Sequence, residues 1–228
     1  MSRFEILVEA LAKEPIQFMD KNKIHYPTEY HYSILDMRSH EPANTLSKTH
    51  INALTDYTID SQTLNKNLWA GKSNNISGHL TKHISEALKT APAAKNDLTV
   101  YTGVNATRNT LKKGDLHIPA YTSTSPDIHV AAAFARHRFT IEDTTDDNGT
   151  QIQHKVHHII RINIKKGQHV GAYIASHSDN SNEHEFLINK GHTIHLDGTY
   201  EDHKQDVVYP HKNTTIRIHN ATITPDEE

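Results

Sequence analysis

Hydrophobic positions along the chain follow two different periods, and the change falls near Pro92. Upstream, apolar residues recur at helical spacing. Residues 2–14 carry Ile6, Leu7, Ala10 and Leu11, with Ser2 as a cap and Pro15 as a stop. Further helices are predicted near 28–38 and over 45–57, the latter with Leu46, Ile51, Leu54 and Tyr57 on one side. Two more are expected at 61–70 (Leu64, Leu68), ending at Gly71, and at 77–89 (Leu80, Ile84, Ala87, Leu88), ending before Pro92. Downstream, the period becomes that of strands. Leu98 to Thr102 is β-rich and closed by Gly103, and 117–124 reads as one extended piece. From residue 152 the alternation is regular, with Ile152, Val156, Ile160, Ile162 and Ile164 at even positions up to the turn at Lys165-Lys166-Gly167. Strands are also expected at 169–174, 185–189, 192–197, 206–209 and 214–223, with Glu142 to Thr150 as an acidic loop. A single helix interrupts them: Ser125 suits its N-cap, Pro126 its first position and Asp127 its first turn, and Ile128, Ala131, Ala132 and Ala135 form a narrow apolar face. The pattern predicts an α+β fold in which a helical half precedes a mainly antiparallel β half.

Composition narrows the function classes. At 228 residues the chain makes one large domain or a core with an appendage. A formal net charge of −3 gives no electrostatic footprint for nucleic acid or an anionic membrane. The absence of cysteine removes disulfides, thiolate metal sites and a cysteine nucleophile. The N-terminus reads as a capping box rather than a signal peptide, and no apolar run reaches membrane-spanning length. Among 20 histidines, His79 and His83 would share a helix face and His157 adjoins His158, but the longer metal-ligand signatures are absent and no metal is assigned.

Candidate chemistry concentrates in two stretches. Ser181-Asn182-Glu183-His184-Glu185-Phe186-Leu187-Ile188 runs from a polar loop into an apolar strand. If it is extended, Glu183 and Glu185 point the same way, where paired carboxylates can do acid/base or cation-stabilising work. Alone, such a pair reads as two solvated surface glutamates. The second stretch, Thr122-Ser123-Thr124-Ser125, ends a strand in hydroxyls. Other motifs fail on their own terms. Gly71-Lys72-Ser73 lacks the leading glycine and preceding strand of a phosphate-binding loop, Asp143 to Gly149 lacks the ligand positions of a calcium loop, and no Gly-x-Ser-x-Gly is present.

In order and spacing, the helical N-terminal region, Leu98-Thr99-Val100-Tyr101-Thr102-Gly103, Tyr121-Thr122-Ser123-Thr124-Ser125, Ala133-Phe134-Ala135 and Glu183-His184-Glu185-Phe186-Leu187 resemble the mono-ADP-ribosyltransferase family. More narrowly they resemble its Arg-Ser-Glu group, which includes binary-toxin and phage-encoded enzymes. The likeness spans about residues 57–223, with Tyr57-Thr58 and Leu64-Asn65-x-x-Leu68 similar to the family's adenosine-side helix. It implies an N-terminal helical segment, 1–56, and a catalytic core, 57–228, of two packed, mainly antiparallel sheets.

The resemblance also implies a reaction: cleavage of the nicotinamide glycosidic bond of NAD and transfer of ADP-ribose to a protein side chain, arginine first. NAD glycohydrolysis, or a catalytically silent binding module, is the alternative. Glu185 matches the carboxylate that stabilises the oxocarbenium-like transition state, Glu183 the glutamate that orients an acceptor guanidinium, and Ser123 the residue that positions the catalytic glutamate. Tyr101, Thr102, Gly103, Asn65, Arg108 and Thr124 fall on the NAD-binding side, with Gly103 matching the backbone that holds the nicotinamide amide and Tyr173 near the start of an acceptor-recognition loop, 173–182. The implied co-substrate is NAD, the implied partner a target protein, and the implied setting cytoplasmic or a host cell reached through a phage or toxin system. Two positions depart from the pattern: Thr102 stands where the group has its phosphate-binding arginine, and Trp69 where the helix motif ends in arginine. Arg108, Lys72 and Arg136 are the candidate replacements.

Overall fold

The change of period near Pro92 separates helices from strands in space as well. The structure, a computed structural model, describes residues 37–42, 46–72, 75–104, 111–135, 139–145, 148–178, 183–204 and 214–225. The expected helix at 2–14, all but the end of that at 28–38, the strand at 206–209, Arg108 and Arg136 lie outside them.

Helices α1 (Lys48–Ile59), α2 (Ser61–Trp69) and α3 (Asn75–Leu88) occupy the expected stretches. The Ser47 side chain accepts from His50 N to start α1, and that of Asp60 accepts from Thr63 N to start α2. Gly71, at φ +63°, ends α2: its N–H donates to Leu68 O at 3.1 Å and the N–H of Lys72 to Asn67 O at 2.9 Å, the paired bonds of a Schellman cap. On α1 the buried positions are Ala53, Leu54 and Tyr57, and Ile51 turns outward instead. One helical face cannot hold Ile51 together with the Ala53–Leu54–Tyr57 set that the small sheet covers.

Among the described residues nine strands follow: β1 (Leu98–Val104), β2 (Gly114–Ile118), β3 (Thr122–Thr124), β4 (Phe139–Thr145), β5 (Gln151–Ile164), β6 (Gly171–Tyr173), β7 (Phe186–Ile188), β8 (His192–Lys204) and β9 (Thr214–Thr224). They form a six-stranded sheet in the order β1-β5-β9-β8-β2, with β4 paired to β5, and a three-stranded sheet in the order β3-β7-β6. All pairs are antiparallel except β5 with β9. The expected mixed α+β class with two mainly antiparallel sheets is therefore the observed one. The layers follow from the cores. Helices α1 and α3 bury Leu54, Tyr57, Ile84 and Leu88 against one face of the small sheet at Tyr121, Ala172, Ile174 and Leu187. The opposite face, with Phe186 and Ile188, packs on Val100, Ile160, Ile162 and Ile194 of the large sheet. Helix α4 (Ile128–Ala135) covers the far side of the large sheet at Ile159, Ile216 and Ile218. Each fully buried aliphatic contributes about 1.5–3 kcal/mol.

Four expectations are corrected. The piece 117–124 is two strands in different sheets, because Pro119 has no N–H to continue a ladder and the chain crosses over there. The acidic loop predicted from Glu142 begins as strand β4, whose pairing with β5 keeps Glu142 against Arg217 at 2.8 Å. Strand β8 runs past the expected end at 197, through Gly198 at φ +85° and a register shift between Leu196 and Tyr200. The cap of α4 is Asp127 rather than Ser125: Asp127 O accepts from Ala131 N, and its Oδ1 accepts from His129 N at 2.8 Å. Pro126 consequently precedes the helix.

Candidate active site

Ser125 misses its capping role because it is held elsewhere. Its backbone exchanges both hydrogen bonds with Tyr101, at 2.8 and 2.9 Å, in an isolated bridge that joins β1 to the end of β3. Its hydroxyl donates to the carbonyl of Glu183 at 2.9 Å and accepts from Asp127 N. The serine of one motif thus fixes the backbone of the other. Thr124 adds a second tie, its buried hydroxyl donating to Phe186 O at 2.5 Å.

Between these ties the Glu-x-Glu segment is not a strand. Strand β7 begins only at Phe186, and His184 has φ +47°, in the left-handed region. The expectation that strand alternation aligns Glu183 and Glu185 is therefore wrong in its cause. Glu183 is half-buried on a short turn, whereas Glu185 is buried at 5% exposure, with its carbonyl accepting from Ile174 N at 2.9 Å. His184 is anchored by Tyr173, whose hydroxyl lies 3.0 Å from its Nδ1.

The Glu185 carboxylate lies near enough to α1 for its charge to be felt at Tyr57. The Tyr57 phenol, fully buried, is pushed up first by burial and then by the negative charge of Glu185, so it stays protonated. Tyr57 Oη lies 3.2 Å from Ser123 Oγ and accepts from Asn65 Nδ2 at 3.1 Å. Asn65 Oδ1 in turn accepts from Tyr121 N at 3.2 Å, and the Tyr57 and Tyr121 rings meet edge to face at 5.5 Å. Tyr121 Oη donates to Thr81 O at 2.7 Å and lies 2.8 Å from Ser85 Oγ. A neutral hydroxyl network from α1, α2 and α3 thus backs the Ser123 end of β3.

The sequence-predicted residues divide accordingly. Ser123, Asn65 and Glu185 converge on Tyr57, and Glu183 and Thr124 are tied to the same strand ends. On β1 the residues separate by face. Thr102 is buried at 9% exposure on the side of Val100, opposite Ile160. Tyr101 packs with the α4 core and interacts with the Arg161 guanidinium. Gly103 also faces α4, so closely that a Cβ there would stand 2.4 Å from Ala131 O. Arg161 and Arg217 are engaged by Glu201 and by Glu142 and Asp202.

The roles of two residues escape sequence reasoning. Tyr57 enters it only as an apolar helix position and as part of the Tyr57-Thr58 likeness, whereas in the fold its hydroxyl meets the Asn65 amide because the chain turns from α1 into α2 at Asp60. Arg38 lies at the edge of an expected helix with no motif around it. Its neighbours fix it: Met37 enters the inter-sheet core, and His40 O accepts from Tyr173 N at 3.0 Å. The exposed Arg38 charge is felt at both Tyr173 and His184, where burial is the larger influence, raising the phenol and lowering the imidazole.

Comparison with known proteins gives this arrangement a context. The family described as ADP-ribosyltransferase exoenzyme matches residues 36–224. No curated protein sequence matches the chain. Among solved structures, Plx2a, an ADP-ribosyltransferase toxin from Paenibacillus larvae, superimposes with a TM-score of 0.60 at 16% identity over 86% of this chain and 94% of that one. The Clostridium limosum C3 exoenzyme gives 0.59 at 16% identity, over 86% and 94%. The Vis toxin, an ADP-ribosyltransferase from Vibrio splendidus, gives 0.56 at 20% identity, over 96% and 91%. At these identities the likeness is one of fold.

Proposed function

The chain belongs to the ADP-ribosyltransferase exoenzyme family, and from that premise we propose that it cleaves the nicotinamide glycosidic bond of NAD and transfers ADP-ribose to arginine on a target protein. The observation that carries the reading is the buried Glu185, whose charge is felt at Tyr57, the partner of Ser123. Departure of nicotinamide builds positive charge on the ribose, and a carboxylate fixed in a partly desolvated site opposes that charge without having to reorganise. Ser123 positions this carboxylate, and Tyr57, neutral throughout, positions Ser123. Glu183, two residues earlier and half-buried, accepts hydrogen bonds from a guanidinium approaching from solvent in this reading. An arginine acceptor also agrees with the chemistry of a fold neighbour: Vis has been solved in complex with agmatine, which bears a guanidinium.

The NAD phosphates need positive charge that Thr102 does not supply. Arg38 is the proposed source, because it is an exposed cation close enough for its charge to be felt by Tyr173 and by His184, the neighbour of Glu185. The exoenzyme family fits an effector that works on a target protein in another cell. Among the described residues no helix is long and apolar enough to cross a membrane.

Incubation with labelled NAD and a cell lysate, followed by mapping of the modified residue, tests the proposal. Glu185→Gln keeps the shape and removes the charge, so transfer and NAD hydrolysis both fall by about a hundredfold or more. Glu183→Gln loses arginine transfer and keeps much of the hydrolysis. Label released as free ADP-ribose with none on protein would make the chain an NAD glycohydrolase, and near-normal activity of a folded Glu185→Gln protein would remove Glu185 from the mechanism.

A further inference from the structure

Helical spacing alone pairs His79 with His83; the fold adds a third histidine and a carboxylate. Helix α1 brings His50 against α3, so that His50 Nε2 lies 3.4 Å and His83 Nδ1 3.2 Å from the same oxygen, Glu86 Oε2. The three ligand atoms all lie within 4.8 Å of one another. Tetrahedral zinc with bonds of about 2.0–2.1 Å requires ligand atoms roughly 3.3–3.4 Å apart along each edge. Two of the edges therefore already have the length the ion would impose. We propose that His50, His83 and Glu86 form a binding site for a divalent transition-metal ion, zinc by preference, that fastens α1 to α3 and leaves a fourth position to water.

The surroundings fit that assignment. Two imidazoles and one carboxylate are a donor set suited to zinc and poorly suited to calcium or magnesium, which take oxygen ligands. The side chains are 22%, 18% and 43% exposed, enough for an ion to enter without the helices separating. With His83 Nδ1 on the metal, its other nitrogen must carry the proton, and His79 Nε2 waits 3.1 Å from it to accept. His79 is thus a positioning residue. Lys82 is 3.8 Å away on the other carboxylate oxygen, which leaves Oε2 to the two imidazoles. The ion would also act on the layer behind the proposed active site. Tyr57 follows His50 by two turns of α1, about 10 Å along the axis, and Ser85, which holds Tyr121, adjoins Glu86.

The test uses the full chain and Zn2+ alone, titrated in competition with a chromophoric chelator, with thermal unfolding read in parallel. The wild type should hold one equivalent per chain at micromolar affinity or better and unfold several degrees higher with zinc. His50→Ala and the near-isosteric Glu86→Gln should each weaken that equivalent by about a hundredfold or more and abolish the shift. His195→Ala, which removes a half-buried histidine elsewhere, should leave it intact. Co2+ in place of zinc should give the intense visible absorption of a tetrahedral site in the wild type and not in the two variants. Unaltered zinc binding in folded His50→Ala and Glu86→Gln, or no equivalent tighter than the scattered histidines provide, would overturn the proposal. Since the site shares no side chain with Glu185 or Ser123, these results stand apart from those of the labelled-NAD assay.

Discussion

The Tyr57 and Ser123 hydroxyls, 66 residues apart in sequence, meet at 3.2 Å, and through that contact a helix from the first half of the chain sets the serine of the β half. Tyr57 has no exposed surface and serves Asn65 as well. Tyr57→Phe keeps the ring in its core and removes only the oxygen. The Asn65 amide then loses its acceptor and Ser123 its anchor, so unfolding in urea should cost about 1–2 kcal/mol less, and kcat for transfer should drop by roughly tenfold while KM for NAD holds. A stability loss with kcat unchanged would leave Tyr57 as a core residue with no part in positioning.

Gly103 carries a packing demand of its own. A Cβ at this position would meet Ala131 O at 2.4 Å and Ala135 N at 2.7 Å, both backbone atoms of α4 that no rotamer change can clear. Gly103→Ala should therefore push α4 off β1 and cost about 1–3 kcal/mol or more, seen as a lower melting midpoint without NAD present. A variant that melts normally yet binds NAD poorly would show that the glycine is needed for the nicotinamide alone.

The large sheet holds a histidine pair whose titration sets a pH limit. His158 and His219 are buried, stack at 5.2 Å, and share a short contact of 3.0 Å. Burial, then the charges of His219 and Arg217, push His158 down to about 4, and burial likewise lowers His219. Because the folded pKa is depressed below the ordinary 6.5, the unfolded chain binds the proton first as pH falls. Stability from this group is complete above about 6.5 and is lost progressively down to about 4, by up to about 2 kcal/mol once solvent screening is allowed for. Urea midpoints measured at pH 7 and pH 5 should show the fall, and His158→Gln should flatten it. An equal slope in the variant would assign the loss to other groups.

These relationships mark where sequence reading succeeds and where it stops. Helices α1 to α3 and strand β5 are visible because their buried positions repeat with one period, as Leu54, Tyr57, Ile84 and Leu88, or Ile160, Ile162 and Ile164, do. Strand β4 is hidden because its apolar residues point the wrong way: Phe139 and Ile141 are exposed, and what turns inward is Glu142, held by Arg217. The candidate site is legible as residue types, since Ser123 and Glu185 do approach the same tyrosine. Its geometry is not, because it depends on a left-handed His184 and on the Ser125 bond to Glu183 O, both consequences of two distant segments being pinned together. Arg38 was invisible for the same reason, being defined only by the tertiary contacts of Met37 and His40.

The missing arginine of β1 gives the last prediction its form. Restoring it with Thr102→Arg would place a guanidinium at a position 9% exposed, beside Val100 and opposite Ile160, where it would have to be desolvated. Burying a charge is costly, so this variant should lose stability and gain no affinity for NAD. Removing the proposed substitute should act in the opposite sense. Arg38 is exposed, and Arg38→Gln should leave the melting midpoint within about a degree while raising KM for NAD by roughly tenfold or more, the worth of a charge-assisted hydrogen bond of about 1.5–3 kcal/mol. Because Arg38 would hold phosphates that do not change charge in the reaction, kcat should move little. Arg38→Lys should recover part of the loss through its charge but not the two-pronged geometry. An Arg38→Gln protein with unchanged KM, or a stable Thr102→Arg protein that binds NAD more tightly than the wild type, would return the phosphate site to β1.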